Sequence, residues 1–209
     1  MDEAELVRWY GEWQPWTPEQ VAELLADWPH PWWIAGGYAL DAFTGLTRVH
    51  SDIDVAILRR DIPALHAYLG TAYTCWAAGS GALRPLTPSE PELPGWADQC
   101  WVREHASTPW RADVLANPDR DGAWVFRRDH ATVLPLTEVV WRDGAGTAFQ
   151  RPEITLAWKA KHRRVKDDLD FARTWPLLDS TARTWLRATL ARLHSDHPWL
   201  TRIDSSHGQ

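Results

Sequence analysis

The chain has 209 residues, 44% hydrophobic and 24% charged, with a net charge of −6. This length is below the roughly 250–300 residues at which a single hydrophobic core usually splits, so we expect one compact unit with room for a helical annex. The composition excludes collagen, coiled coil and wholesale disorder. The acidic balance disfavours a protein that binds nucleic acid over its whole surface.

Cysteine usage and the amino-terminal residues indicate a cellular location. Cys75 and Cys100 are too few for a disulfide scaffold or a cysteine-rich metal site, which fits a reducing compartment. The first residues, Met1-Asp2-Glu3, lack the basic-then-apolar order of a secretory signal. No apolar run approaches the ~20 residues that a membrane helix needs. We therefore expect a soluble, cytoplasmic protein with no membrane partner.

The first half of the chain alternates between helix and strand patterns. A short helix is expected at 3–13. Thr17, Pro18 and Gln20 form a start signal for the next helix, and apolar spacing continues it to Trp28. The elements expected after it are a strand at 32–35, a helix at 38–44, a strand at 51–58, a helix at 61–69, and strands at 71–77, 98–105, 110–116 and 122–128, with a proline-rich loop at 85–94.

From Pro152 onward the pattern is helical, with helices expected at 152–163, 166–178 and 180–194. Strands and helices followed by helices alone are typical of an α+β arrangement. We expect a mixed sheet with flanking helices in residues 1–150 and a C-terminal helical region in residues 151–209. Sixteen tryptophans are scattered along the chain without a period, and we expect most of them in the core or on half-buried helix faces.

The predicted strand at 51–58 carries two acidic side chains on one face. Asp52 and Asp54 alternate with apolar residues, which places their carboxylates about 7 Å apart. Two such charges repel each other in a partly desolvated site, and a bridging Mg²⁺ ion would relieve that repulsion. An isolated Asp-x-Asp more often lies on a solvated edge strand, so this pattern alone leaves both interpretations open.

Gly36 and Gly37 lie between the strand at 32–35 and the helix that follows. A strand, two glycines and a helix leave unpaired N–H groups at a helix N-terminus, where an anion can bind. The same pair also fits a tight turn that needs positive φ. A phosphate-binding turn followed by a strand with paired carboxylates is the combination that a Mg²⁺–nucleotide requires.

This stretch resembles the nucleotidyltransferase superfamily of DNA polymerase β type. The closer resemblance is to the aminoglycoside 2″-adenylyltransferase and lincosamide nucleotidyltransferase group. The residues that agree in identity and spacing are Trp33-Ile34, Gly36-Gly37, Asp41, Gly45, Thr47-Arg48, His50 and Asp52-Ile53-Asp54. The resemblance implies a nucleotidyltransferase-type fold and transfer of a nucleoside monophosphate from a nucleoside triphosphate, with ATP as the expected donor.

The resemblance also implies a metal centre with one or two Mg²⁺ ions, held by Asp52, Asp54 and a third carboxylate on a later strand. Asp113 is the candidate, and in the family this residue completes the metal site or takes the proton of the acceptor hydroxyl. If its strand neighbours the strand at 51–58, the Asp113 carboxylate lies about 5 Å away across the ladder. An ordinary exposed strand aspartate is the alternative.

Positive charge for the triphosphate is expected from a basic run between residues 159 and 166. Lys159 is the first choice for a phosphate contact because family members carry a lysine in an equivalent helix, and Lys161 is the reserve. A solvated helix face is an equally good interpretation of this run. Arg48 and His50 flank the metal strand and are expected to orient Asp52 and phosphate oxygens, unless His50 is structural. Arg127 and Arg128 have no assignable role.

The leading hypothesis is a Mg²⁺-dependent transferase acting on a small hydroxylated acceptor, such as an aminoglycoside-like antibiotic. A toxin-type nucleotidyltransferase that modifies transfer RNA is a second hypothesis, because the basic run could contact a phosphate backbone. A non-catalytic nucleotide-binding module is a third, although the intact set of three aspartates argues against it. The sequence has no Gly-x-Ser-x-Gly elbow, no phosphate loop ending in Gly-Lys-Ser/Thr and no zinc pattern.

Overall fold

A computed structural model describes residues 3–205 of the chain. The predicted regions 1–150 and 151–209 also include residues 1–2 and 206–209, which lie outside the described residues. An eight-stranded mixed sheet runs in the order β10-β11-β1-β2-β6-β5-β3-β4, and a small sheet runs β7-β8-β9. The strands are β1 Trp32–Ile34, β2 Asp54–Leu58, β3 Thr74–Gly79, β4 Ala82–Pro85, β5 Gln99–Arg103, β6 Ala112–Asn117, β7 Asp119–Arg120, β8 Ala123–Val125, β9 Val133–Leu134, β10 Val140–Arg142 and β11 Ala148–Gln150.

The helices flank the sheet and follow it, which gives the predicted mixed α+β arrangement. They are α1 Glu3–Tyr10, α2 Pro18–Leu24, α3 Gly36–Thr44, α4 Ile62–Leu69, α5 Leu136–Val139, α6 Pro152–Lys159, α7 Val165–Thr174, α8 Ser180–Leu193 and α9 Pro198–Ser205, with 3₁₀ turns at Arg59–Asp61 and Trp175–Leu177. Among the described residues, no helix combines the length and the apolar character needed to cross a bilayer.

Helix α2 forms where the capping signal predicts it. The Thr17 hydroxyl accepts a hydrogen bond from the Gln20 N–H, and the Gln20 side chain accepts one from the Thr17 N–H at 2.9 Å. The helix ends at Leu24, four residues before the predicted end. The N–H of Trp28 bonds instead to the Leu25 carbonyl three residues back, which tightens the chain into a turn.

The central strands bury one apolar cluster on each face of the sheet. Ile34, Val55 and Ile57 face a cluster that includes residues of α2 and α4. Trp33 and Leu58 face a second cluster, built largely from the C-terminal helices. Because side chains alternate along a strand, the face of Leu58 is also the face of Asp54. The C-terminal helices therefore pack on the side of the sheet that carries the acidic residues.

The C-terminal region differs from the prediction in its first two helices. Helix α6 ends at Lys159 rather than at 163, and α7 begins at Val165. The Asp167 side chain accepts a hydrogen bond from the Arg164 backbone N–H at 2.9 Å and so starts a new helix there. The basic run between residues 159 and 166 therefore does not lie on one continuous helix. Helix α9 and strands β10 and β11 were not predicted.

The tryptophans lie mostly in the interior. Trp33, Trp110, Trp124 and Trp199 are fully buried. Among the sixteen, large exposed fractions occur at Trp9, which is 68% exposed, and at Trp96, which is 39% exposed. Their abundance therefore reflects the packing of the two clusters more than a ligand surface.

The shared cluster predicts that the C-terminal helices stabilise the whole chain. Leu186 of α8 is completely buried in the cluster that contains Trp33 and Leu58. The substitution Leu186→Ala should lower the free energy of unfolding by about 2–5 kcal/mol, because it leaves a cavity. Urea denaturation measures this. Arg187→Ala, on the exposed side of the same helix, should leave the midpoint nearly unchanged. Equal effects of the two substitutions would contradict the shared core.

Candidate active site

A cleft of about 320 Å³ lies between one edge of the central sheet and the turn that joins α6 to α7. Two of the predicted acidic residues lie on its floor and the third lies at its rim. The lining comprises Ala35, Gly36, Asp52, Asp54, Asp98, Gln99, Asp113, Leu115, Ala116, Asn117, Arg127, Arg128, Gln150, Thr155, Trp158, Lys159, His162 and Arg164.

Asp54 and Asp113 are direct neighbours across the parallel pair β2–β6. The Asp113 N–H donates to the Ile53 carbonyl at 2.9 Å, which fixes this register. Asp113 is buried, with 7% of its surface exposed, so it is not an ordinary exposed strand aspartate. The predicted neighbour relation between the two strands is confirmed.

Asp52 occupies a different environment. It precedes β2, which begins at Asp54 rather than at the predicted residue 51, and its side chain is exposed. The fully buried Ile53 between the two aspartates anchors this part of the chain in the core. Both Asp52 and Asp54 line the cleft, one at its rim and one on its floor.

Burial and mutual repulsion shift the acidity of the two inner carboxylates. Removal from water, reinforced by the charge of Asp52, raises the pKa of Asp54 to about 7. Burial, followed by the charges of Asp54 and Asp52, raises the pKa of Asp113 well above its usual value. The positive charge of Lys159 acts in the opposite direction on Asp54. The inner pair is therefore poorly neutralised by the protein itself.

Gly36 allows the backbone to approach Asp54. It is the first residue of α3, and its φ of +61° suits glycine. A Cβ atom at this position would lie 1.8 Å from Asp54 Oδ2. Helix α3 starts two residues earlier than predicted, so both glycines lie in its first turn. Unpaired N–H groups of that turn are available to an anion beside the carboxylates.

Gly37 lies against Arg48 and His50 rather than against the acidic residues. A Cβ atom on Gly37 would lie 2.4 Å from the Arg48 guanidinium and from the His50 ring. His50 contacts Asp41 Oδ2 at 2.8 Å and stacks on Tyr38, and its side chain is 3% exposed. The Arg48 N–H donates to the same Asp41 oxygen at 3.0 Å. These contacts hold the loop behind α3.

Arg48 and His50 do not line the cleft. Their expected contacts with Asp52 and phosphate therefore remain predictions, and the contacts of His50 are those of a structural histidine. The guanidinium of Arg48 instead lies 3.5 Å from Asp170 of α7.

Lys159, the residue expected to contact phosphate, lines the cleft, but its ammonium group is paired with two carboxylates. Its Nζ atom is 2.9 Å from Asp170 and 3.2 Å from Asp167, and its side chain is 9% exposed. Lys161, the reserve candidate, is exposed in the turn after α6 and does not line the cleft. Arg164, whose Nε atom is 3.0 Å from Asp167, takes the position at the rim instead.

The structure adds cleft residues that the sequence analysis missed or left without a role. Gln99 of β5 donates from Nε2 to Asp113 Oδ2 at 2.6 Å. Arg128 bonds to the last carbonyls of α6, and burial together with the charge of Arg127 lowers its pKa to about 10. Arg127 pairs with Asp98 at 2.8 Å. The adjacent arginines were visible in the sequence, but the fold was needed to bring them to the acidic residues.

Comparisons with known proteins agree with this arrangement. Residues 19–78 match the family described as aminoglycoside-2″-adenylyltransferase. The crystal structure of ANT(2″)-Ia in complex with adenylyl-2″-tobramycin is similar, with a TM-score of 0.54 and 14% identity over 83% of this chain and 95% of that one. The solution structure of the antibiotic-resistance factor ANT(2″)-Ia has a TM-score of 0.55 and 14% identity over 91% and 95%.

A third similar structure is the lincomycin-bound lincosamide antibiotic adenylyltransferase LnuA, with a TM-score of 0.52 and 13% identity over 77% of this chain and 95% of that one. No curated protein sequence matches the chain significantly. The predicted resemblance to the aminoglycoside and lincosamide nucleotidyltransferase group is confirmed. The enzyme class, a nucleotidyltransferase, is confirmed with it, and the solved structures confirm the nucleotidyltransferase-type fold.

The family match covers only part of the nucleotidyltransferase cleft. It includes Gly36, Asp52 and Asp54 but ends before Asp113 and Lys159. The roles of the latter two therefore rest on their positions in the structure.

The oxygen atoms of the cleft fit a magnesium ion. Asp113 Oδ1 is buried without a hydrogen-bond partner, and the neighbouring Asp54 carboxylate is destabilised by the same burial. Within residues 3–205, no three His, Cys, Asp or Glu side chains are close enough to form one compact ligand set. An ion held by two carboxylates and completed by phosphate oxygens and water suits Mg²⁺, which commonly keeps several waters.

The close approach at Gly36 predicts the effect of adding one methyl group. Gly36→Ala should displace Asp54 and strain the positive φ, so the increase in melting temperature that we expect from Mg²⁺ in the wild type should be lost. Differential scanning fluorimetry with and without Mg²⁺ measures this. Gly144→Ala is the matched control, because a Cβ atom there meets nothing within 4 Å. A normal Mg²⁺ response in Gly36→Ala would contradict the contact.

The raised pKa of Asp54 predicts how stability depends on pH. Since its folded pKa of about 7 exceeds its unfolded value, the folded state binds more protons between about pH 4 and 7, and stability from this group falls as pH rises through that range. Without Mg²⁺, Asp54→Asn should therefore raise the melting temperature at pH 8 and raise it less at pH 5. The exposed Asp27→Asn is the control. A lower melting temperature for Asp54→Asn at pH 8 would contradict the repulsion.

Proposed function

We propose that the chain transfers a nucleoside monophosphate from a nucleoside triphosphate, with ATP as the expected donor, to a hydroxyl of a small acceptor in a Mg²⁺-dependent reaction. The observation that carries the proposal is the adjacent pair Asp54 and Asp113 beneath the N-terminus of α3, with Asp52 at the rim. The cytoplasm, where nucleoside triphosphates are abundant, is the expected location.

The chemistry follows from the positions of the charges. Asp54 and Asp113 would hold Mg²⁺, with the charge of Asp52 at the rim adding to their field, and the ion supplies positive charge to the phosphate oxygens when bound. The unpaired N–H groups of the first turn of α3 face the same region and would hold the phosphates of the donor. Positioning and electrostatics account for most of the catalysis in phosphoryl transfer.

Asp113 is the group that would receive the proton of the acceptor. Its Oδ1 atom is buried at the cleft and makes no hydrogen bond of normal geometry, so this oxygen is available to accept the hydroxyl proton. The acceptor oxygen forms a bond to the α-phosphorus while the bond from that phosphorus to the bridging oxygen breaks. Pyrophosphate leaves, and the hydroxyl proton moves to Asp113.

Two cationic groups beside the carboxylates would balance the charge of the triphosphate. Lys159 is fixed by its two aspartate partners, whereas Arg164 has an exposed side chain at the rim. Arg164 is therefore better placed to contact a departing pyrophosphate. Lys159 is better placed to offset the negative charge of Asp54. Lys161 has no part in this proposal.

The related structures support an antibiotic as the acceptor. The similar ANT(2″)-Ia structure contains an adenylylated tobramycin, and the similar LnuA structure contains lincomycin. Both compounds carry several hydroxyl groups. We extend this acceptor class, a hydroxylated antibiotic, to the present chain.

A labelling experiment tests the proposal directly. The protein is incubated with each of the four labelled nucleoside triphosphates, with Mg²⁺ or EDTA, and with panels of aminoglycosides, lincosamides and transfer RNA. We expect label from ATP in one antibiotic panel and none with EDTA. Label in the transfer RNA panel would replace the small acceptor by RNA, which the exposed basic turn at 161–164 could contact. Absence of label from every panel would refute the proposal.

Substitution of the acidic residues tests their roles in transfer. Asp52→Asn and Asp54→Asn should each abolish turnover while the protein stays folded, because each removes negative charge from the proposed metal site. Asp113→Asn should reduce kcat more than it weakens nucleotide binding. Steady-state kinetics and nucleotide titration separate these effects. Full activity in any of the three variants would remove that residue from the mechanism.

A further inference from the structure

The buried carboxylate of Asp113 has one of its two oxygens occupied by a neighbouring side chain. Gln99 Nε2 donates to Asp113 Oδ2 at 2.6 Å, while Oδ1 is buried and has no partner. The two oxygens of one carboxylate are therefore different in this fold.

The backbone of Gln99 is held on both sides, so its amide group starts from a fixed place. Strand β5 lies between β6 and β3, and Gln99 pairs with Leu115 on one side and with Ala78 on the other. The next residue, Cys100, is buried and belongs to the opposite face of the sheet because side chains alternate. The position of Gln99 thus directs its amide to the cleft and to Asp113.

We propose that Gln99 is a positioning residue for catalysis. By holding Oδ2, it fixes the rotation of the Asp113 carboxylate and turns Oδ1 toward the hydroxyl of the acceptor. The inference rests on the proposed function, in which Asp113 takes the proton. Gln99 itself contacts neither the phosphorus nor the acceptor oxygen.

The ion pairs next to this contact involve Asp98 rather than Asp113. The preceding residue, Asp98, pairs with Arg127 at 2.8 Å, and its other oxygen lies 3.9 Å from Arg59. Gln99 makes the short side-chain hydrogen bond to Asp113 Oδ2, and the indole of Trp101, which pairs with Asp113 across β5–β6, adds a second side-chain donor that lowers the pKa of Asp113. Loss of the Gln99 amide should therefore free the carboxylate to rotate.

The primary test compares two substitutions of similar size. Gln99→Met removes the donor and keeps the length of the side chain, and Gln99→Glu replaces the donor by a second carboxylate. We expect Gln99→Met to lower kcat about 10- to 100-fold, the effect of losing one hydrogen bond to a charged group. At pH 8, Gln99→Glu should be slower still, because its charge repels Asp113. The KM for ATP and the melting temperature of Gln99→Met should stay close to the wild type.

A double substitution separates positioning from a general structural effect. In the Asp113→Asn background there is no base left to orient, so adding Gln99→Met should reduce kcat no further. Gln20→Met, which makes the same chemical change in α2 away from the cleft, should leave kcat unchanged. The proposal would be overturned by a wild-type kcat in Gln99→Met or by equal kcat values in Gln99→Met and Gln99→Glu. It would also be overturned if the kcat of the double variant fell by the product of the two single-variant reductions.

A binding measurement distinguishes this failure from failure of the proposed function. Electron paramagnetic resonance with Mn²⁺ and a non-hydrolysable ATP analogue needs no acceptor. If wild-type protein binds no Mn²⁺, or if Asp113→Asn keeps full activity, the proposed function fails and the role of Gln99 with it. If wild-type protein binds Mn²⁺ and Asp113→Asn has a reduced kcat while Gln99→Met transfers at the wild-type rate, the role of Gln99 alone is refuted.

Discussion

The close approach of two carboxylates on neighbouring parallel strands is the constraint on which the site depends. Asp54 and Asp113 are opposite each other in the β2–β6 ladder; Asp113 is buried and Asp54 half-buried, and desolvation raises the pKa of both. Such a pair costs folding free energy unless positive charge or protons compensate it. Other features of the cleft offset this unfavourable free energy. Gly36 lets the N-terminus of α3 approach Asp54, and the positive charge of Lys159 lowers the pKa of Asp54. The cleft also leaves space beside the two carboxylates.

The C-terminal helices take part in this balance through the carboxylates of α7. Asp170 lies between Lys159 of α6 and Arg48 of the loop behind α3, and the fully buried Asp167 joins Lys159 to Arg164. Buried ion pairs contribute little net stability, since desolvation offsets their attraction. Here these ion pairs position the cationic side chains, because Arg48, Lys159 and Arg164 all pair with carboxylates of α7. The predicted boundary between residues 150 and 151 therefore marks a change in sequence pattern. In the structure, the cluster that contains Trp33 and Leu186 and the ion pair between Arg48 and Asp170 both cross that boundary.

Local patterns and the family resemblance were sufficient to predict the acidic residues but not everything around them. Asp54 was predictable because strand alternation depends only on neighbours in the sequence, and the diglycine has a local backbone requirement. Asp113 was predicted because the resemblance implies a third carboxylate on a later strand. Gln99 carries no such signal, since an amide on a strand is ordinary until the sheet order places β5 beside β6. Strand β11, which brings Gln150 to the cleft, has three residues and is defined by its parallel pairing with β1. Elements that short have too few residues to show a period.

The turn between α6 and α7 shows how one local contact changes the assignment of a functional group. A helix continued from 152 through residue 166 would have placed Lys159 and Lys166 on one stripe. Because Asp167 bonds to the backbone and side chain of Arg164, a new helix starts there, and Arg164 lines the cleft whereas Lys161 does not. The same carboxylate also binds Lys159. A single buried aspartate therefore both caps α7 and holds Lys159 and Arg164 beside the acidic floor, so the charge balance of the cleft is set by capping as much as by composition.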